Sequence, residues 1–93
     1  MIITIYQLYN DIDNLTYIGS TSQKPSIRYA KHKSRSRTYK NKLYKHCLFI
    51  GWHNIKLKII CQIKLDNWIQ AKKLEQTYQD ILKPELNSIR AIK

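Results

Sequence analysis

The run Ile55–Leu65 constrains this chain more than any other stretch. Ile55, Leu57, Ile59, Cys61, Ile63 and Leu65 alternate with Lys56, Lys58, Ile60, Gln62 and Lys64, which is the period of a half-buried β-strand. Such a strand cannot stand alone, because its backbone needs neighbouring strands and its apolar face needs a covering layer. The N-terminus supplies the neighbours. Residues 2–9 are rich in Ile and Tyr, residues 15–19 form a second short β-type run, and Asn10-Asp11-Ile12-Asp13-Asn14 between them is turn chemistry. A β-hairpin is expected there.

Three helical segments complete the pattern. Pro25 suits the first turn of a helix that runs to about Ser34, with Thr21 or Ser22 as its cap. The polar stretch Lys33–Lys42 reads as an exposed loop. A second helix over Lys40–Ile50 buries Leu43, Tyr44, Cys47, Leu48 and Ile50, and Gly51 fits its C-terminal cap. Asp66 or Asn67 caps a third helix that continues to about Leu82, where Pro84 forbids extension. The tail Glu85–Lys93 packs in part through Leu86 and Ile89. The expected fold is therefore α+β, ordered β-β-α-α-β-α, with a small three-stranded antiparallel sheet flanked by three helices. At 93 residues the chain has room for one domain.

Charge narrows the partner. The net charge is +11, and no Asp or Glu occurs between Asn14 and Leu65, a span that holds twelve Lys or Arg residues. Nine of them fall between Lys24 and Lys45. One-sided charge of this kind is the footprint of a polyanion, nucleic acid first. Lys24, Lys31, Arg35, Arg37, Lys40, Lys42 and Lys45 are the expected contacts. The plainer reading is a solvated, solubilising surface. An anionic membrane fits less well, since no long amphipathic helix with a wide apolar face is visible. No apolar run approaches the length of a membrane span, and the first residues do not form a signal peptide. Cys47 and Cys61 lack disulfide or metal spacing, as expected of an intracellular protein with reduced thiols, and the alternation makes Cys61 a small core residue.

Among chemistry-bearing residues, Glu75 stands out. It shares a helical stripe with Trp68, Ala71, Tyr78 and Leu82, and a carboxylate in such a stripe is costly unless paired, hydrogen-bonded or metal-bound. An ion pair with Lys72 or Arg28, or a position at the stripe edge, is the structural alternative. Arg28 and His32 lie one helical turn apart and share a face. A guanidinium can clamp a phosphate and a near-neutral imidazole can move a proton, although both also fit an ordinary basic surface. Tyr6 and Tyr17 bracket the hairpin turn, which brings both hydroxyls to one region of the sheet. To act as a base, either needs a nearby cation or hydrogen-bond acceptor. Gly19 permits a close backbone approach or a sharp turn. His46 and His53 show no zinc-type pairing.

These residues, in this order, resemble the GIY-YIG nuclease family from Thr4 to about Ala91. Thr4-Ile5-Tyr6 matches the first motif with Thr4 in place of the family glycine, and Tyr17-Ile18-Gly19-Ser20-Thr21 matches the second in full. Arg28 and His32 fall at the helix arginine and following histidine. Tyr44–Ile60, centred on Gly51-Trp52, resembles the second helix and third strand. Glu75 stands at the metal-binding glutamate, and Pro84-Glu85-Leu86-Asn87 resembles the closing segment with its asparagine. The resemblance implies metal-dependent hydrolysis of DNA phosphodiesters, with Tyr6, Tyr17, Arg28, His32, Glu75 and Asn87 in the site and Glu75 holding one Mg²⁺ or Mn²⁺. Tyr6 would orient or deprotonate water with His32 behind it, and Tyr17 would position phosphate or water. Arg28 would offset phosphate charge and Asn87 would support the site. Products would carry 5′-phosphate and 3′-hydroxyl ends. Without a separate recognition domain, weak sequence preference is expected. A partner protein or a homodimer is conceivable, since a double-strand break needs two hydrolytic sites. The competing expectations are a non-catalytic basic module of the same fold that binds nucleic acid, and an RNA-processing or RNA-binding protein.

Overall fold

The central strand of the sheet is the N-terminal one. In this computed structural model, which describes residues 1–87, the strands are β1 (Ile2–Tyr9), β2 (Tyr17–Thr21) and β3 (Lys56–Lys64). They are ordered β2-β1-β3 and every pairing is antiparallel. The helices are α1 (Pro25–Arg35), α2 (Lys42–Ile50) and α3 (Trp68–Leu82), and a short 3₁₀ turn at Trp52–Asn54 leads from α2 into β3. The expected α+β order is thus observed. Ile3, Thr4, Ile5 and Tyr6 are buried without a break, as a central strand covered on both faces requires.

Successive residues of β1 serve opposite layers. Ile3 and Ile5 join Ile18 and Ala71 in a cluster beneath α3. Tyr6 and Leu8 join Leu43, Tyr44, Cys47, Trp52, Ile55 and Leu86 on the α2 side, with Tyr29 of α1 packed against them. The sheet is sandwiched between these two layers.

The alternation expected through Ile55–Leu65 is interrupted. Ile5 pairs with Cys61 but Tyr6 pairs with Ile59, so Ile60 is an extra residue in a β-bulge. Leu57 and Ile59 therefore share a face with Leu8 and Tyr6, whereas Cys61 and Ile63 share the opposite face with Ile5 and Ile3. Because β3 is an outer strand, Ile59 and Ile63 remain close to half exposed. Cys61 is half-buried against the α3 layer.

Several boundaries differ from expectation for local reasons. Neither Thr21 nor Ser22 caps α1. Lys24 holds that position without a side-chain bond, while Thr21 Oγ1 accepts the Gln23 N–H at 3.0 Å. Helix α2 starts at Lys42 because Asn41 accepts the Tyr44 N–H, and it ends at Gly51 with φ 95°, a left-handed value that favours glycine. Leu48 faces outward, 45% exposed, since the buried row of α2 is only Leu43, Tyr44 and Cys47. Within the expected exposed loop, Ser36 is buried and accepts the Trp52 indole N–H at 2.9 Å. Asn67, not Asp66, caps α3. The stripe also differs: Trp68 and Leu82, the first and last residues of α3, are 43% and 44% exposed. The buried row is Ala71, Glu75, Gln76 and Gln79. Leu86 is buried as expected; Ile89 lies outside the described residues.

Candidate active site

The site grows out of the β1–β2 register. Tyr6 pairs with Gly19 and Leu8 with Tyr17, so Tyr6 and Tyr17 are diagonal neighbours on one face, with ring centroids 6.3 Å apart. Gly19 is required by proximity rather than by a turn. A Cβ there would lie 2.5 Å from the Tyr6 hydroxyl oxygen and 2.6 Å from its Cζ, so the phenol lies directly across the glycine backbone. Thr4, where the family has glycine, is buried and its Oγ1 accepts the Gln62 amide at 3.0 Å.

His32 is not a surface residue. It is 2% exposed, with Nε2 2.7 Å from the Tyr6 hydroxyl and Nδ1 2.9 Å from the Tyr44 hydroxyl. Burial, aided by the Arg28 and Arg35 charges, pushes its pKa down to about 3. The imidazole is therefore neutral, accepting a hydrogen bond from one phenol and donating one to the other. Burial pushes the Tyr6 phenol up to about 12, against the charge and hydrogen bond of Arg28. Tyr17 is raised further by the same cause, with Tyr6 and Glu75 adding to it. The resting protons thus stay on the phenols.

Glu75 approaches from α3 and is buried. Its Oε1 accepts the Ser20 hydroxyl at 2.5 Å and lies 3.5 Å from Lys72 Nζ, while Oε2 accepts the Gln79 amide at 3.1 Å. The Lys72 ion pair considered from the sequence exists; it spans one helical turn and is half exposed on the lysine side. Asn87 clamps the outer edge of β2. Its Oδ1 accepts the Ile18 N–H and its Nδ2–H donates to the Ile18 carbonyl, both at 2.8 Å. The Leu86 N–H donates to Thr16 beside it. The closing segment therefore takes the place of a further strand at that edge.

A cleft of about 490 Å³ brings together Tyr17, Arg28, His32, Tyr44, Glu75 and Asn87. Tyr6 is fully buried behind it and reaches it through His32. Of the expected basic contacts, Arg35 and Lys40 line this cleft and Lys31 lines an adjoining one. Lys24, Arg37, Lys42 and Lys45 are exposed but line neither. Tyr44, Ser20 and Gln79 join the site in addition to the residues expected from the sequence. A buried tyrosine hydroxyl needs a partner, and that demand was the available signal for Tyr44. Ser20 gave none, because its role exists only across the β2–α3 contact, whereas Gln79 lies one helical turn beyond Glu75 on α3, and that spacing was the available signal for it.

Among the described residues no group of three or more His, Cys, Asp or Glu side chains could cage a metal. The donor set is one buried carboxylate in an open polar cleft. That excludes a zinc-type cage and fits a hard cation that keeps water and substrate oxygens as most of its ligands.

A family model described as the GIY-YIG catalytic domain matches residues 2–89. The chain belongs to the GIY-YIG family, whose members are generally nucleases. No curated protein and no solved structure matches it. No helix among the described residues is long and apolar enough to cross a membrane.

Proposed function

We propose that this protein is a divalent-metal-dependent endonuclease that hydrolyses DNA phosphodiester bonds with little intrinsic sequence preference. The observation that carries the reading is the convergence of a neutral His32, bracketed by two phenols, with Arg28 and the buried carboxylate of Glu75 around one cleft. A binding module needs cations but has no use for a buried acid or a proton-accepting imidazole.

Glu75 would hold Mg²⁺ or Mn²⁺, which when bound supplies Lewis-acid polarisation of the phosphate and acidifies water. Ser20 and Gln79 fix the carboxylate so that it need not reorganise. Arg28, half-buried at the cleft, offsets charge that develops on the scissile phosphate. Tyr17 lines the cleft and orients water or phosphate through its hydroxyl. The proton leaving the attacking water enters the Tyr6–His32–Tyr44 chain, with His32 as its acceptor. In the resting protein burial is the main opposition to a charge on His32, and the cations of Arg28 and Arg35 add to it. Phosphate drawn onto Arg28 offsets that cation's share, so substrate binding raises the basicity of the imidazole without removing the cost of burial. Exposed cations contact phosphates, which give affinity without reading bases.

The test separates cleavage from binding with a labelled duplex oligonucleotide. Glu75→Ala, with Glu75→Gln as the folding control, should lose cleavage by about two to three orders of magnitude or more. DNA affinity should hold or rise, because an acid leaves a basic cleft. Equal cleavage by both variants and the unmutated protein would overturn the reading.

A further inference from the structure

A second trough, about 450 Å³, adjoins the active-site cleft and shares Arg28 with it. Its walls include Ser22 and Gln23 after β2, Lys31 of α1, and Trp68 and Lys72 of α3. No carboxylate is among its lining residues. The Lys31 ammonium is bonded to the neutral amide of Gln23 at 3.1 Å rather than to an acid. Trp68 is 43% exposed although its helix offers the sheet a buried row, and Lys72 Nζ stands 5.9 Å from its ring centroid. The indole is therefore held between solvent and a cation, at the end of a basic channel that begins at a catalytic arginine.

This combination suits one ligand chemistry. Lys31, Lys72 and Arg28 can follow a phosphate backbone, and an exposed indole can stack an unpaired base, since every base has a π face. A base inside a duplex cannot reach such a ring without unstacking. We propose that the trough is a subsite for an unpaired nucleotide flanking the scissile phosphate, so that the preferred substrate is DNA with a single-stranded branch or frayed end rather than uninterrupted duplex. The proposal rests on the nuclease reading for its orientation toward the scissile bond. The trough also gives Lys72 a role besides its contact with Glu75.

The test is equilibrium binding by fluorescence anisotropy in the presence of chelator, so that no cleavage intervenes. A blunt duplex is compared with the same duplex carrying a single-stranded flap. The protein should bind the flap substrate roughly tenfold more tightly, in line with one stacked base. Trp68→Ala should abolish that difference and leave duplex affinity unchanged, while Trp68→Phe should keep most of it. Lys31→Ala should lessen the salt dependence of flap binding by somewhat under one unit of slope. Equal affinity for the two substrates, or equal losses on both in Trp68→Ala, would overturn the subsite. If that happens while Glu75-dependent cleavage persists, the subsite alone fails. Trp68-dependent flap binding in a protein that cleaves nothing would instead sink the nuclease reading and leave the subsite standing.

Discussion

At the residue scale the site depends on two tight packing relations, Tyr6 against Gly19 and Tyr6 against His32. Gly19→Ala would place a methyl group within 2.6 Å of the Tyr6 ring and hydroxyl, and the ring cannot retreat because it is fully buried. Overpacking of this kind costs about 1–3 kcal/mol. Urea denaturation should show that loss, and cleavage should fall further than the stability change explains, because the Tyr6–His32 bond shifts with the ring. His32 gives a second prediction with a definite sign. Its pKa is about 3 in the folded protein against 6.5 as the ordinary value, so the unfolded chain binds the extra proton first. Stability from this residue is complete above about pH 6.5 and is lost as pH falls toward 3, at no more than about 1.4 kcal/mol per pH unit. Denaturation midpoints measured across that range should fall with acid, and His32→Gln should flatten the slope. An unchanged slope in the variant would contradict a buried neutral imidazole.

At the element scale, β2 is a short outer strand whose outer edge is closed by the segment around Asn87. Asn87 satisfies both backbone groups of Ile18, and its loss would leave them unpaired at a cost of about 1–3 kcal/mol. Asn87→Ala should therefore speed hydrogen exchange at the Ile18 amide and weaken cleavage by loosening Tyr17. Exchange unchanged at Ile18 would show that the clamp is dispensable. The sequence displays the elements well, because Pro25, Gly51, Asn67 and Pro84 act locally and their effects follow from backbone geometry. It hides what depends on another element. The bulge at Ile60 leaves the apolar alternation looking intact, since Ile59, Ile60 and Cys61 are all suitable for a strand. Trp68 and Leu48 fit helical stripes by spacing, but how far a helix extends past its neighbours decides their exposure.

At the scale of the whole molecule, the small sheet and its two covering layers converge on one cleft, which only Arg28, Arg35 and Lys40 of the many cations among the described residues line. The sequence shows Tyr6, Tyr17, Arg28, His32 and Glu75 as residues of interest, yet not that His32 lies in the core between two phenols. Tyr44 completes that arrangement across 12 residues and Ser20 meets Glu75 across 55, separations that no periodicity encodes. Only Arg35, Lys40 and Lys31 among the expected basic contacts reach either cleft, whereas Lys72 does so from α3, outside the basic run of the sequence. The most direct test of a metal-dependent phosphodiesterase site is incubation of supercoiled plasmid with the protein in Mg²⁺ or Mn²⁺, beside chelator and Glu75→Ala. The account predicts nicked or linear plasmid with either metal and intact plasmid in the other two lanes. Nicking that survives both chelator and Glu75→Ala, or its absence under every condition while salt-sensitive DNA binding persists, would contradict it.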